Sequence, residues 1–166
     1  MKRAKRFPFR TIQEKRLQLN IDNQTQNNIP EQQDFTRWVW QSLKNHYYRA
    51  QINIILLDTE EAKTYNQQYR GKDYATNILS FPYEDEYRSG YKILQGDLLL
   101  CPQIVEQEAL EQHKTLDAHY AHLIIHGVLH LLGYDHEEEN AANQMESLEI
   151  HLLHQLGYQN PYYDEA

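Results

Sequence analysis

Apolar and polar residues alternate through LQLNID (17–22), the period-2 pattern of a half-buried strand. The polar stretch QTQNNIPEQQ (24–33) interrupts it and reads as a loop. Over 34–46 the period lengthens. Phe35, Trp38, Val39 and Leu43 recur at helical spacing, with Asp34 placed to cap the N-terminus. QINIILLD (51–58), with five apolar residues in eight, is apolar enough to be a strand central in its sheet. A second helix is predicted over 59–70, with Glu60 and Glu61 at its positive end and Gly71 stopping it. TNILSFP (76–82) and ILQGDLLLCP (93–102) are two more strands, each stopped by a proline. Between them YEDEYRSGYK (83–92) reads as an exposed hairpin or lid. Helical periodicity then covers 103–113, 115–132 and about 138–156.

This order, β-α-β-α-β-β-α-α-α, predicts one α/β (α+β) domain with a small four-stranded mixed sheet and about five helices. A chain of 166 residues suffices for one sizeable core but not comfortably for two. There is no internal repeat, and no glycine-rich phosphate loop follows any strand, which weakens nucleotide-cofactor readings. No apolar run reaches the roughly 18 residues of a membrane span, and the basic start leads into no apolar leader segment. Cys101, the single cysteine, lies in an apolar strand and is expected in the core. Without a partner for a disulfide it fits a reducing compartment, and the cytoplasm is the expected location. Charge is uneven: residues 1–16 carry seven Lys or Arg against Glu14, so the net −8 of the chain leaves −14 on the other 150 residues. So acidic a body argues against broad, unspecific nucleic-acid binding but not against a local basic site. The basic segment 1–16 is either a phosphate contact or a solubilising terminus.

The chemistry concentrates in HGVLHLLGYDH (126–136). On a helix, His126 and His130 differ by about 40° in direction and about 6 Å in height, so both rings can reach one ion. Gly133 can end that helix in the left-handed conformation and turn the chain back to bring His136 to the same point. Three neutral imidazoles on one zinc leave a fourth position open, the arrangement of catalytic rather than structural sites. His122, one helical step earlier, lacks a well-placed third ligand for a 122/126 pair and is expected to be a packing residue. The spacing equals the H-E-x-x-H-x-x-G-x-x-H of metzincin proteases, but Gly127 stands where their glutamate base would be. Without that carboxylate, water must be activated mainly by the metal. Such a centre suits a phosphodiester if a cation stabilises the charge building on phosphorus oxygens.

HGVLHLLGYDH, YRGKDYATNILSFP (69–82) and GDLLLC (96–101), in this order, closely resemble the YbeY family of bacterial metallo-endoribonucleases. The likeness covers residues 17–158, leaving 1–16 as a basic extension and 159–166 as a tail. It implies one zinc on His126, His130 and His136, and cleavage of single-stranded RNA. It also implies a role in maturing the 3′ end of small-subunit ribosomal RNA and in ribosome quality control. Partners would be the small ribosomal subunit or a ribosomal protein, with no membrane. Arg70 matches the family's essential arginine, and its planar guanidinium can hold two phosphate oxygens at once. The alternative is a surface ion pair with Asp73. Arg70 and His126 are thus the catalytic candidates. Lys72, Thr76, Asn77 and Ser80 are candidates for substrate contact beside the metal, each with an equally simple structural role. Asp97 reads as a support for the metal ligands or a turn former. Two other functions stay open: a non-catalytic ribosome assembly factor with structural zinc, and a metalloprotease-like hydrolase, to which Gly127 is the main objection.

Overall fold

The computed structural model describes residues 16–46, 49–88 and 90–162. The basic extension expected over 1–16 lies outside the described residues save Arg16, and the expected tail is described only as far as Tyr162. Among the described residues, five strands and five helices follow one another: β1 (Leu17–Asn23), α1 (Gln32–Leu43), β2 (Arg49–Leu56), α2 (Thr59–Arg70), β3 (Ile78–Pro82), β4 (Glu86–Arg88), β5 (Tyr91–Leu100), α3 (Pro102–Glu111), α4 (Leu116–Leu131) and α5 (Glu139–Gln155).

One mixed sheet runs β1-β2-β5-β3. β1 pairs parallel with β2, and β2 parallel with β5, which places Ile54 beside Leu98. Parallel neighbours need a crossover between them, and α1 and α2 lie in those connections. β3 returns antiparallel along the far half of β5, Ile78 opposite Leu100. The near half of β5 pairs with β4, Glu86 opposite Ile93 and Arg88 opposite Tyr91. The connection 83–92 is therefore a hairpin, and the sheet has five strands rather than four. The extra one has only three residues, Glu86, Tyr87 and Arg88. It is held by main-chain pairing and carries no apolar alternation to announce it. One further expectation needs correction: Asp34 does not cap α1. The helix begins earlier, with Glu31 as its cap, and Asp34 occupies the third helical position, where its carboxylate accepts the Glu31 amide at 3.2 Å. This is the reciprocal half of a capping box.

Successive residues of β5 face opposite ways. Leu94, Leu98 and Leu100 join Ile52, Ile54 and Leu56 of β2 in the main core, against Phe35, Trp38, Val39 and Leu43 of α1 and most of α4. Leu99 faces the other way, into a smaller cluster with Leu57 and Leu79 that Phe81 helps to cover. Tyr69, in the last turn of α2, packs its ring 4.8 Å from that of Phe81, which holds the end of α2 against β3. In the main core, Phe35 meets Trp38 and Tyr120 edge-on at 5.6 and 6.1 Å. Burying each such large side chain contributes roughly 1.5–3 kcal/mol.

α4 runs through the middle of this core, which brings it very close to the sheet at Gly127. A Cβ there would stand 2.7 Å from Ile78 Cδ1, 3.0 Å from Leu98 Cδ2 and 3.3 Å from Ser80 Oγ. The gain in helix propensity from Gly127→Ala, about 1 kcal/mol, is smaller than the usual cost of overpacking, about 1–3 kcal/mol. Gly127→Ala is therefore expected to lower stability by about 1 kcal/mol in denaturant titration. An unchanged or raised midpoint would show that α4 can back away from β3 at no cost.

Candidate metal centre

α4 is apolar on nearly all sides because it touches the sheet and other helices on nearly all sides. Its histidines break that rule along one stripe, His119, His122, His126 and His130, spaced three and four apart. The helix ends at Leu131 with Leu132 as its cap, and Gly133 follows with φ +99°, a conformation L side chains rarely adopt. The Tyr134 amide donates to the Leu129 carbonyl and the Gly133 amide to the His130 carbonyl, both at 3.0 Å, closing the helix in a Schellman turn. Asp135 then accepts the amides of His136 and Glu137 at 2.7 and 3.2 Å, fixing the direction in which His136 leaves the turn.

The three rings meet. His130 Nε2 lies 3.0 Å from His126 Nε2 and 3.0 Å from His136 Nδ1. The other nitrogens of two rings are already engaged. His130 Nδ1 donates to the Tyr134 carbonyl at 3.0 Å, and His126 Nδ1 donates to Glu149 Oε1. Those donations assign the hydrogen of each neutral ring to Nδ1 and leave both Nε2 lone pairs bare. Two bare acceptors facing each other at 3.0 Å repel unless a cation lies between them. The donor set, three imidazoles within one ligand-sized sphere, can hold a metal ion. Burial, with the neighbouring His126 and His136, holds the His130 ring at about 4, so it stays uncharged at neutral pH, as a ligand must.

Glu149 is the residue that the pattern along the chain did not reveal. It sits on α5, fully buried, among Met145, Leu152 and Leu153. Besides His126, it accepts from His122 Nε2 at 3.1 Å and from the Tyr162 hydroxyl. Burial opposes its ionisation, yet the donors His122, His126 and Tyr162 outweigh burial and hold the carboxyl at about 2. The sequence did contain one signal: an acid on the apolar face of α5, four residues after Met145 and three before Leu152, where an unpaired charge would be very costly. His122 also needs correction. Glu149 stands beside the 122/126 pair as a third group, so His122 is a hydrogen-bonding neighbour of the site and not merely packing.

The other candidates are spread around β3. Arg70 ends α2, exposed, and among the described residues its guanidinium makes no ion pair or hydrogen bond. Asp73, its expected alternative partner, pairs instead with Lys63 at 3.7 Å. Lys72 is exposed and Thr76 half-buried in the loop that follows, where the buried Asn66 side chain donates to the Tyr74 carbonyl at 2.8 Å and pins the path. Asn77 spends its side chain inside the protein, donating to Glu108 at 2.9 Å and accepting the Ile78 amide at 2.6 Å. Ser80 Oγ donates to the Gly127 carbonyl at 3.1 Å, next to His126 in sequence. Asp97 neither supports the ligands nor forms a turn. It lies within β5 on the face turned away from α4, accepting from Asn53 at 2.9 Å and from the Tyr83 hydroxyl at 2.8 Å. Cys101 is buried, as expected.

At Gly127 the protease likeness fails for a second reason. Its Cβ direction points into the contact between α4, Ile78 and Leu98, so a glutamate there would have no room.

A family profile described as "Endoribonuclease YbeY" matches residues 20–157. "Endoribonuclease YbeY" of Neisseria gonorrhoeae is 52% identical over 170 residues, covering 100% of this chain and 99% of that protein. "Endoribonuclease YbeY" of Neisseria meningitidis serogroup C is 52% identical over 169 residues, covering 99% of each. The solution structure of TM1509 from Thermotoga maritima shares the fold with a TM-score of 0.54 at 26% identity, covering 84% of this chain and 92% of that one.

Proposed function

The chain belongs to the YbeY family of endoribonucleases, and from that premise we propose that it is a zinc-dependent enzyme that cuts single-stranded RNA by hydrolysing phosphodiester bonds. We assign the activity to residues 17–158. Its place is in the cytoplasm, in maturing the 3′ end of small-subunit ribosomal RNA and in ribosome quality control, with the small subunit or a ribosomal protein as partner. Among the described residues, no helix is long and apolar enough to cross a membrane.

One observation carries the reading: two bare Nε2 atoms, of His126 and His130, and Nδ1 of His136 turned onto one point. Three neutral ring nitrogens are a fitting donor set for a single zinc ion and leave it a free position. When bound, zinc supplies Lewis acidity and a water acidified toward neutrality. The residues of the chain do the rest. His126 and His130 are held by their Nδ1 hydrogen bonds, so the site costs little rearrangement. Gly133 and Asp135 set the turn that delivers His136. Arg70 offers an unengaged, permanently charged fork to the scissile phosphate. The end of α2 rests on one face of β3 through Tyr69 and Phe81, while α4 rests on the other through Gly127 and Ser80, so Arg70 and the histidines flank the same edge strand. Lys72 adds charge on the Arg70 side. Thr76, Asn77 and Ser80 line the wall between, Asn77 and Ser80 by holding its shape.

The purified protein is expected to carry one zinc per chain and to cut single-stranded RNA but not a duplex. A chelator is expected to abolish cleavage, and added zinc to restore it. Binding to ribosomal particles with no cleavage by the zinc-loaded protein would favour the assembly-factor reading, and turnover of peptides would revive the hydrolase one.

A further inference from the structure

The carboxylate of Glu149 is fully buried on α5, 23 residues from His126, yet it touches the ring nitrogen that the converging site does not use. Its second oxygen takes hydrogen bonds from His122 Nε2 and from the hydroxyl of Tyr162, beyond the end of α5. His122 Nε2 and that hydroxyl are themselves 3.2 Å apart, so the three side chains form one closed group around the carboxylate. A carboxylate accepting the Nδ1–H of a histidine fixes which nitrogen carries the hydrogen, fixes the ring orientation, and makes the opposite nitrogen a better ligand.

We propose that Glu149 is the positioning residue of the metal centre, presenting His126 Nε2 to the ion, and that Tyr162 completes it by holding the carboxylate in place. The inference rests on the reading of His126, His130 and His136 as metal ligands. It ties the chain beyond α5 to the centre: Tyr162 lies 36 residues after His126 and reaches it through one carboxylate. It also explains why an acid persists on the apolar face of α5. A second ion on His122, His126 and Glu149 is the competing use of the same atoms, since they too lie within ligand distance of one another. The tyrosine hydroxyl favours hydrogen bonding, because it already donates to Oε2, the oxygen that His122 also faces.

The test reads zinc affinity and the metal-free protein, both independent of RNA. Glu149→Gln and Tyr162→Phe are titrated with zinc against a chromophoric competitor, and the Nδ1–H and Nε2–H forms of His126 are distinguished by ¹⁵N NMR without metal. Wild type is expected to bind one zinc, with His126 in the Nδ1–H form. Glu149→Gln is expected to weaken zinc about 10- to 100-fold and to mix the two ring forms. Tyr162→Phe keeps the carboxylate and is expected to remain folded and to weaken zinc by roughly threefold to tenfold, the loss of one charge-assisted hydrogen bond. Wild-type affinity and ring form in a folded Glu149→Gln overturn the assignment of Glu149. If that variant does not fold, unchanged affinity in Tyr162→Phe overturns the arrangement. Two zinc ions per wild-type chain overturn it in favour of the second ion. A wild type that binds no zinc removes its premise, whereas a wild type that binds zinc but cuts no RNA defeats the proposed function alone.

Discussion

His130→Ala is expected to yield a folded protein that has lost its zinc and, with it, RNA cleavage. Of the three rings, His130 occupies the middle, its Nε2 3.0 Å from the ligand atoms of both others. Alanine leaves two imidazoles, one from the helix and one from the turn, which do not hold zinc at the concentration of a cell or a column. Loss of a supporting partner around a zinc site weakens affinity about 10- to 100-fold, and loss of a ligand is expected to exceed about 100-fold. The fold should survive. The ring is half-buried and alanine favours the helix, so the unfolding midpoint of the metal-free protein should move little. Metal analysis, competition titration and cleavage of a single-stranded RNA measure the three parts separately. Cleavage that continues at the wild-type rate in zinc-free His130→Ala would end the metal-dependent account.

Arg70→Ala is expected to do the converse, keeping the zinc and losing the reaction. Removing one pre-positioned donor to a transition-state oxygen typically costs about 10²- to 10³-fold in rate, and a similar loss is expected here with stoichiometric metal. Stability should hardly change. The guanidinium has no partner among the described residues, and its favourable position at the C-terminal end of α2 contributes only about 0.3–1 kcal/mol. Arg70→Lys keeps the charge without the fork and should fall between wild type and Arg70→Ala. Single-turnover rates with saturating enzyme separate a slower chemical step from weaker binding. A fully active Arg70→Ala would remove Arg70 from the reaction and return it to the surface.

The two variants also show how far local pattern reaches. His126 and His130 share a helix, and Gly133 and His136 follow within one turn, so their meeting depends on helix pitch and on one glycine. Both are properties of a few neighbouring residues and can be read along the chain. The same holds for α2, whose predicted span of 59–70 and stop at Gly71 agree with the structure, φ +67° at that glycine. It holds for the apolar β2 as well, which lies between two parallel neighbours. Arg70 is a different case. Its candidacy came from the likeness of YRGKD to a family, and the packing of Tyr69 on Phe81 brings the end of α2 to the strand that α4 also touches.

Amino-acid order alone settled what is local: the order of the helices and of every strand but β4, the converging histidine triplet, and the absence of a protease base at Gly127. Helix–helix and helix–sheet packing settled the remainder. Glu149 meets His126 across 23 positions, and Tyr162 meets Glu149 across 13, through the way α5 and the chain after it lie on α4. Asp97 turns away from the site because strand residues alternate faces and α4 covers only one of them. β4 exists because β5 is long enough to pair with a second partner. The physical reason is range: backbone propensity and periodicity act over a few residues, whereas a buried carboxylate acquires its role only when distant segments close around it and exclude water.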